Sequence, residues 1–261
     1  MEHITFGQLP AVRITAPDGA TATVTLYGAH LVSWQGADGG ERMFVSRRSA
    51  LDASRAIRGG VPVIFPQFSE QGDGMRHGFA RVSNWQLLGS GVDDGAAWAE
   101  FGLQQDDLPR ALASGWPHRF ALALRVSVRA NALHMDFTVR NTGDAPFPFA
   151  AALHTYHLVP QLADVRIGGV QAGTLSIDDK LDRVYAGVEG TITLATPARV
   201  LTLEQQGFTD AVVWNPGAAD TAALSDMEDD EYQRFVCIEP AKLDPVKLAP
   251  GAQWQGHYRI Q

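Results

Sequence analysis

One cysteine, Cys237, stands in a chain of 261 residues. No intramolecular disulfide can form and no thiolate cluster can hold a metal, so a reducing compartment, the cytoplasm, is the expected home. Long apolar runs are missing as well. Nothing approaches the roughly 18 uninterrupted apolar residues of a membrane span, and Met1–Gly19 has no basic stretch leading into an apolar one, as an export signal would. Positive charge is scarce: 21 Lys and Arg against 29 Asp and Glu leave a formal net charge of −8. Binding to nucleic acid or to an anionic membrane surface is therefore not expected. An anionic small molecule would have to be met by a local cluster of arginines, against a repulsive field screened within about 8–10 Å.

Helical periodicity is nearly absent. Short candidates lie at Ser49–Arg55 and Asp106–Ala113, and none alternates with strands, which argues against a doubly wound α/β sheet. Walker and dinucleotide glycine patterns, internal repeats and linkers are not found.

What the chain does carry is period-two alternation. Phe120, Leu122, Leu124, Val126 and Val128 fall on one face, and after Arg129-Ala130-Asn131 the pattern resumes with Leu133, Met135, Phe137 and Val139. Such a pair of runs predicts a β-hairpin with one buried face. Further strands are predicted at Ala22–Tyr27, His30–Gln35, Trp85–Gly89, Ala97–Gly102, Ala150–Leu158, Val200–Glu204, Ala211–Trp214, Phe235–Glu239 and Gln253–Ile260. The expected fold is all-β, one large antiparallel β-sandwich domain spanning residues 1–261.

Three segments place polar residues in apolar strand text. The first, Ile57–Trp85, crowds Arg58, Arg76, His77 and Arg81 into a glycine- and proline-broken stretch. A guanidinium forks bidentately onto phosphate or carboxylate, and the neighbouring Gly59-Gly60 would allow close ligand approach; the competing reading is an ion pair within the chain. The second segment carries His154, which either bonds a backbone carbonyl or serves as an acid or base. His157, three residues on, falls on the opposite face of a strand, so the two cannot pair on a metal, whereas Tyr156 shares the His154 face. The third carries Glu239, either a solvated strand end or a buried acid whose proton affinity burial would raise.

Taken in order, RGGVPVIFPQF, RHGFAR, the LHTY of Leu153–Tyr156, Asp178-Asp179-Lys180, VVWNPG at Val212–Gly217 and CIEP at Cys237–Pro240 resemble the hexose-6-phosphate mutarotases, or glucose-6-phosphate 1-epimerases, of the aldose 1-epimerase superfamily. The resemblance runs from about residue 20 to the C-terminus. It implies a galactose mutarotase-like supersandwich and a cofactor-free interconversion of α and β anomers of a hexose 6-phosphate. It also implies Glu239 as the base at the C1 hydroxyl and His154 as the acid at the ring oxygen. Arg58 and Arg81, with Arg76 and His77 beside them, match substrate- and phosphate-binding positions, and Asp179 matches an acid that holds sugar hydroxyls. Two residues depart from the pattern: Arg76 stands where glutamine is common, and His157 where phenylalanine is. The expected partner is a small sugar phosphate, with no metal, and the chain is expected to be a monomer or weak dimer. Rival readings are a non-catalytic sugar-binding sandwich, a mutarotase of unphosphorylated aldoses, and a glycoside hydrolase using Asp179 and Glu239.

Overall fold

The computed structural model describes every residue from Met1 to Gln261. Alternating burial builds its framework. In Phe120–Arg129 and Ala132–Asn141 every second side chain is buried, and the nine apolar residues of the expected hairpin are each at most 2% exposed. The strands pair antiparallel from Phe120↔Asn141 to Arg129↔Ala132. A slip of one residue would turn the whole apolar set outward, so burial pins the register.

This hairpin is central in an eight-stranded antiparallel sheet with the order Arg166–Gly168, Thr191–Thr196, Arg199–Gln206, Gln253–Ile260, Ala132–Asn141, Phe120–Arg129, Ala96–Gln104, Gln86–Asp93. Two other sheets lie against it. The first is a four-stranded meander, Glu2–Phe6, Leu9–Thr15, Thr21–Thr25 and His30–Gln35, whose middle strands contact Ala96–Gln104 and Phe120–Arg129. The second has the order Leu181–Tyr185, Asp210–Asn215, Phe235–Leu248, Phe147–Leu153, Val63–Ile64, with Tyr156–Leu158 also paired to its long strand. One apolar cluster runs between the layers, from Val12 and Trp34 through Phe101 and Phe137 to Ile238 and Ile260. Truncating Phe101 or Phe137, both fully buried, to alanine would cost about 3–5 kcal/mol.

The structure departs from the sequence expectations in several places. Alternation is lost in the middle of the six-stranded sheet because its central strands are covered on both faces: Asp210–Val213 and Phe235–Ala241 are buried throughout. The strand expected over Ala150–Leu158 is two strands, Phe147–Leu153 and Tyr156–Leu158. Pro240 explains the break. The Ile238 N–H donates to the Thr155 carbonyl, and Pro240, two residues on, faces the same way with no N–H to give. Asp106–Ala113 is split by Pro109 into a 3-10 turn, Gln105–Asp107, and a helix, Arg110–Gly115; proline fits just before a first helical turn. Ser49–Arg55 is no helix but a loop in which Ala53 takes φ 65°. A helix at Gly217–Ala223 and the strands Glu2–Phe6 and Leu9–Thr15 were not expected.

Candidate active site

A cleft of about 570 Å³ opens over the outer face of the six-stranded sheet, within the size range of small-molecule sites. Its floor follows from the register. Ala152 pairs Ala241 and Tyr156 pairs Cys237, so both pairs sum to 393 and His154 stands directly opposite Glu239. On the other side, Val212 pairs Glu239 and Trp214 pairs Cys237, while Asp182 pairs Trp214. Residues two apart share a face, so His154, Tyr156, Glu239, Val212, Trp214 and Asp182 all line the cleft. Eighty-five positions of sequence are closed by one cross-strand contact: His154 Nδ1 lies 3.3 Å from Glu239 Oε1.

That pair is buried, with Glu239 only 1% exposed. Neither His154 Nδ1 nor Glu239 Oε2 has a hydrogen-bond partner, so the 3.3 Å approach lacks hydrogen-bond alignment. Burial, and then the Asp182 charge, lifts the Glu239 carboxyl well above the carboxylate range. Burial, then His77, Arg81 and Arg58, holds His154 well below the ordinary imidazole range. The ring is fixed by aromatic contacts: it stacks on Tyr156 (centroids 4.9 Å, 12°) and meets Trp214 edge-on at 5.8 Å. Its backbone N–H donates to Pro62.

The rim is arginine-rich. Arg55, Arg58, Arg76 and Arg81 line the cleft, and they are not equivalent. Arg58 realises the ion-pair reading: Nε and Nη2 both reach the Asp226 carboxylate at 3.2 Å, and Nη1 donates to the Tyr156 hydroxyl at 3.1 Å. Tyr156, then Asp226, keep its guanidinium charged against burial. Arg81 has no carboxylate. Its Nη2 donates to the Arg76 carbonyl at 2.8 Å and its buried Nε donates to nothing. Burial, then the positive neighbours Arg58 and Arg76, push it down to about 10, with Tyr156 acting the other way. Arg76 is exposed, and Arg55 bonds only the Ser225 hydroxyl.

His77 completes the rim. The Gln67–His77 loop is closed by Gln67, whose Oε1 accepts from the Gly74 N–H at 2.8 Å, and by the Ser69 N–H donating to His77 Nδ1 at 3.2 Å. With Nδ1 accepting, Nε2 carries the proton. Burial, then Arg81, Arg76 and Arg58, push His77 down to about 3, so it is a neutral donor at working pH. It holds φ 63°, a conformation costing a bulky residue about 1–3 kcal/mol.

Some expected roles fall elsewhere. Asp179 does not line the cleft; it is exposed, and its Oδ1 accepts the Ala218 N–H at 2.8 Å beside Gly217. The carboxylate facing Glu239 is Asp182, three residues on, in a strand the sequence reading did not find; nothing in DDKLD distinguishes the three aspartates. A hydrolase pair of Asp179 and Glu239 is therefore not assembled. Gly59 and Gly60 are glycine for the protein's own sake: a Cβ there would strike the Phe44 and Leu31 carbonyls at φ 118° and 59°. His157, as the alternation predicted, faces inward, Nε2 lying 3.3 Å from the Tyr258 hydroxyl. Arg55, Asp182 and Asp226 had no motif to reveal them.

The aldose 1-epimerase family model matches residues 10–178 and 169–261. A Cenchrus ciliaris protein named "Putative glucose-6-phosphate 1-epimerase" is 31% identical over 272 residues, covering 92% of this chain and 80% of its own length. An Escherichia coli protein of the same name is 32% identical over 241 residues, covering 84% and 79%. The crystal structure of a "putative mutarotase" from Salmonella typhimurium superposes with a TM-score of 0.89 at 27% identity, over 99% of this chain and 92% of that one. With a matched family model from residue 10 to the C-terminus, the chain belongs to the aldose 1-epimerase family.

Proposed function

We propose that the cleft interconverts the α and β anomers of a hexose 6-phosphate, glucose 6-phosphate being the leading candidate. The relatives' names support the substrate, and the observation that carries it is Arg81: a half-buried guanidinium with a buried, unpartnered Nε and no carboxylate, lining the same cleft as the acid/base pair. With Arg58 neutralised by Asp226, the cations Arg55, Arg76 and Arg81 remain to meet a phosphate, and His77 Nε2–H adds a neutral donor. Charge-assisted contacts of this kind contribute about 1.5–3 kcal/mol each. Trp214 offers an aromatic face to the apolar side of a pyranose.

The chemistry needs two proton transfers and no electron or group carrier. Glu239 takes the C1 hydroxyl proton as the C1–O5 bond breaks, and His154 gives a proton to O5. Rotation about C1–C2 exposes the other carbonyl face. On closure the O5 proton returns to His154 and Glu239 returns its proton to the carbonyl oxygen, so the site ends as it began. Positioned acid/base groups contribute about 10²–10⁴-fold.

Raised Glu239 and lowered His154 mean that a proton shared by the pair favours the carboxyl over the imidazole in the free cleft. Because Arg81 and Arg58 depress His154, a phosphate that offsets their charge raises its proton affinity and brings the proton to the acid as substrate binds. The test is the change in optical rotation of freshly dissolved α-glucose 6-phosphate. Acceleration over the spontaneous rate is expected, and no acceleration contradicts the reading.

A further inference from the structure

The register that sets His154 opposite Glu239 also brings a third group to the pair. Cys237 precedes Glu239 by two residues and pairs Tyr156 across the ladder, so its thiol points to the same face of the sheet. A nitrogen of His154, a carboxylate oxygen of Glu239 and the Cys237 sulfur all lie within 4.8 Å of one another. All three residues are buried, and Cys237 is a free thiol. In two of these residues a polar atom, His154 Nδ1 and Glu239 Oε2, is buried with no hydrogen-bond partner.

We propose that His154, Glu239 and Cys237 form a three-ligand site for a thiophilic divalent cation of the zinc class, and that its occupancy switches the cleft off. Metal–ligand bonds of 2.0–2.3 Å in a tetrahedron separate donor atoms by roughly 3.3–3.8 Å. The His154–Glu239 edge already measures 3.3 Å, and the sulfur edges, at most 4.8 Å, need a contraction of at most about 1.3 Å, within reach of side-chain rotation. A cation enters past His154 and Glu239, which line the cleft, and meets sulfur behind them. The fourth position then faces the cleft, where water or a sugar oxygen completes the shell. Binding releases the thiol proton and any proton held by the carboxyl. The dication with one thiolate, one carboxylate and one neutral imidazole is uncharged, a suitable sum for a buried place. The metal takes the lone pairs that anomerisation uses, so inhibition follows from the proposed function, whereas binding itself does not depend on it.

Cobalt(II) titration of the full chain, reduced with a non-chelating phosphine, reads the site directly. The expected result is one cobalt per chain with a near-ultraviolet thiolate-to-cobalt charge-transfer band that zinc displaces and that strengthens as pH rises. Cys237→Ala and Cys237→Ser are expected to lose the band, and Glu239→Gln, with Cys237 intact, to lose stoichiometric binding. Near-ultraviolet circular dichroism identifies any variant that fails to fold, leaving the others to decide. No band in the parent, or an undiminished band in a folded Cys237 variant, overturns the proposal. Zinc is expected to abolish anomerisation by the parent at the concentration that displaces cobalt; full activity with the site filled overturns the switch. Were the metal-free parent to lack anomerisation altogether, the functional reading would fail while the cobalt band still decided the site.

Discussion

Replacing Arg81 with alanine separates recognition from chemistry. In the free protein this side chain makes one hydrogen bond, to the Arg76 carbonyl, and its Nε makes none, so its removal breaks few contacts before substrate arrives, although it also relieves part of the charge that holds His154 and His77 down. With phosphate bound, one or more charge-assisted contacts worth about 1.5–3 kcal/mol are lost. At RT of about 0.59 kcal/mol, a single such contact raises the half-saturating concentration of glucose 6-phosphate by about 10- to 150-fold. The half-saturating concentration of unphosphorylated glucose is expected to change by under about threefold, since no anion is there to miss the guanidinium. Arg58→Ala behaves differently. It strands Asp226 and releases the Tyr156 hydroxyl, so the Tyr156 ring under His154 loses its anchor and turnover falls for both sugars. Stability falls by about 1–3 kcal/mol, less than for a fully buried pair because the Arg58 side chain is 23% exposed. Initial rates from polarimetry over a concentration series of each α-sugar separate these patterns. Arg81→Ala affecting both sugars equally, or neither, would refute the reasoning.

Three further outcomes follow from the site. Glu239→Gln keeps the buried shape but cannot accept a proton, and turnover is expected to fall about 10²–10⁴-fold; a loss under tenfold in anomer exchange would remove Glu239 as the base. Asp182→Asn is expected to lower the Glu239 pKa and move the alkaline limb of the pH–rate profile to lower pH, because the working pair holds one proton between its two pKa values. Asp179→Ala, outside the cleft, is expected to leave the profile in place. His30, His77 and His157 are buried neutral, pushed down to about 4, 3 and 3, chiefly by burial. Their folded values lie below the unfolded one of 6.5, so their contribution is present above pH 6.5 and drains away as pH falls toward 3 to 4. By pH 5.5 each costs about 1.4 kcal/mol, about 4 kcal/mol together, and a urea midpoint unchanged between pH 7.5 and 5.5 would contradict it.

The central strands of the eight-stranded sheet were legible because Phe120–Val128 and Leu133–Val139 alternate on either side of the turn, whereas its outer strands Arg166–Gly168 and Thr191–Thr196 were missed. The six-stranded sheet was less so. A sheet covered on both faces has no alternation to read, and Pro240 broke a strand whose sequence reads straight through. His154 and Glu239 stood out as polar residues in apolar text, and the opposite faces of His154 and His157 survived the break. What joined the pair was a cross-strand register that no local pattern encodes. The same limit explains Asp179 and Asp182: only the pairing of Leu181–Tyr185 with Asp210–Asn215 turns Asp182 into the cleft. Arginine beside glycine was a sound pointer to the cleft for Arg58, although the glycines answer to the Phe44 and Leu31 carbonyls.

The most direct test of the central claim puts glucose 6-phosphate and glucose in one tube with a catalytic amount of the protein and follows magnetisation exchange between the α and β anomeric protons of each. Both sugars then see the same protein, pH and temperature, and their spontaneous exchange supplies the baseline. The account predicts accelerated exchange for the phosphorylated sugar, exceeding that for glucose by about tenfold or more, the least that one charge-assisted contact confers. Equal or greater acceleration for glucose, or none for either sugar, would contradict it.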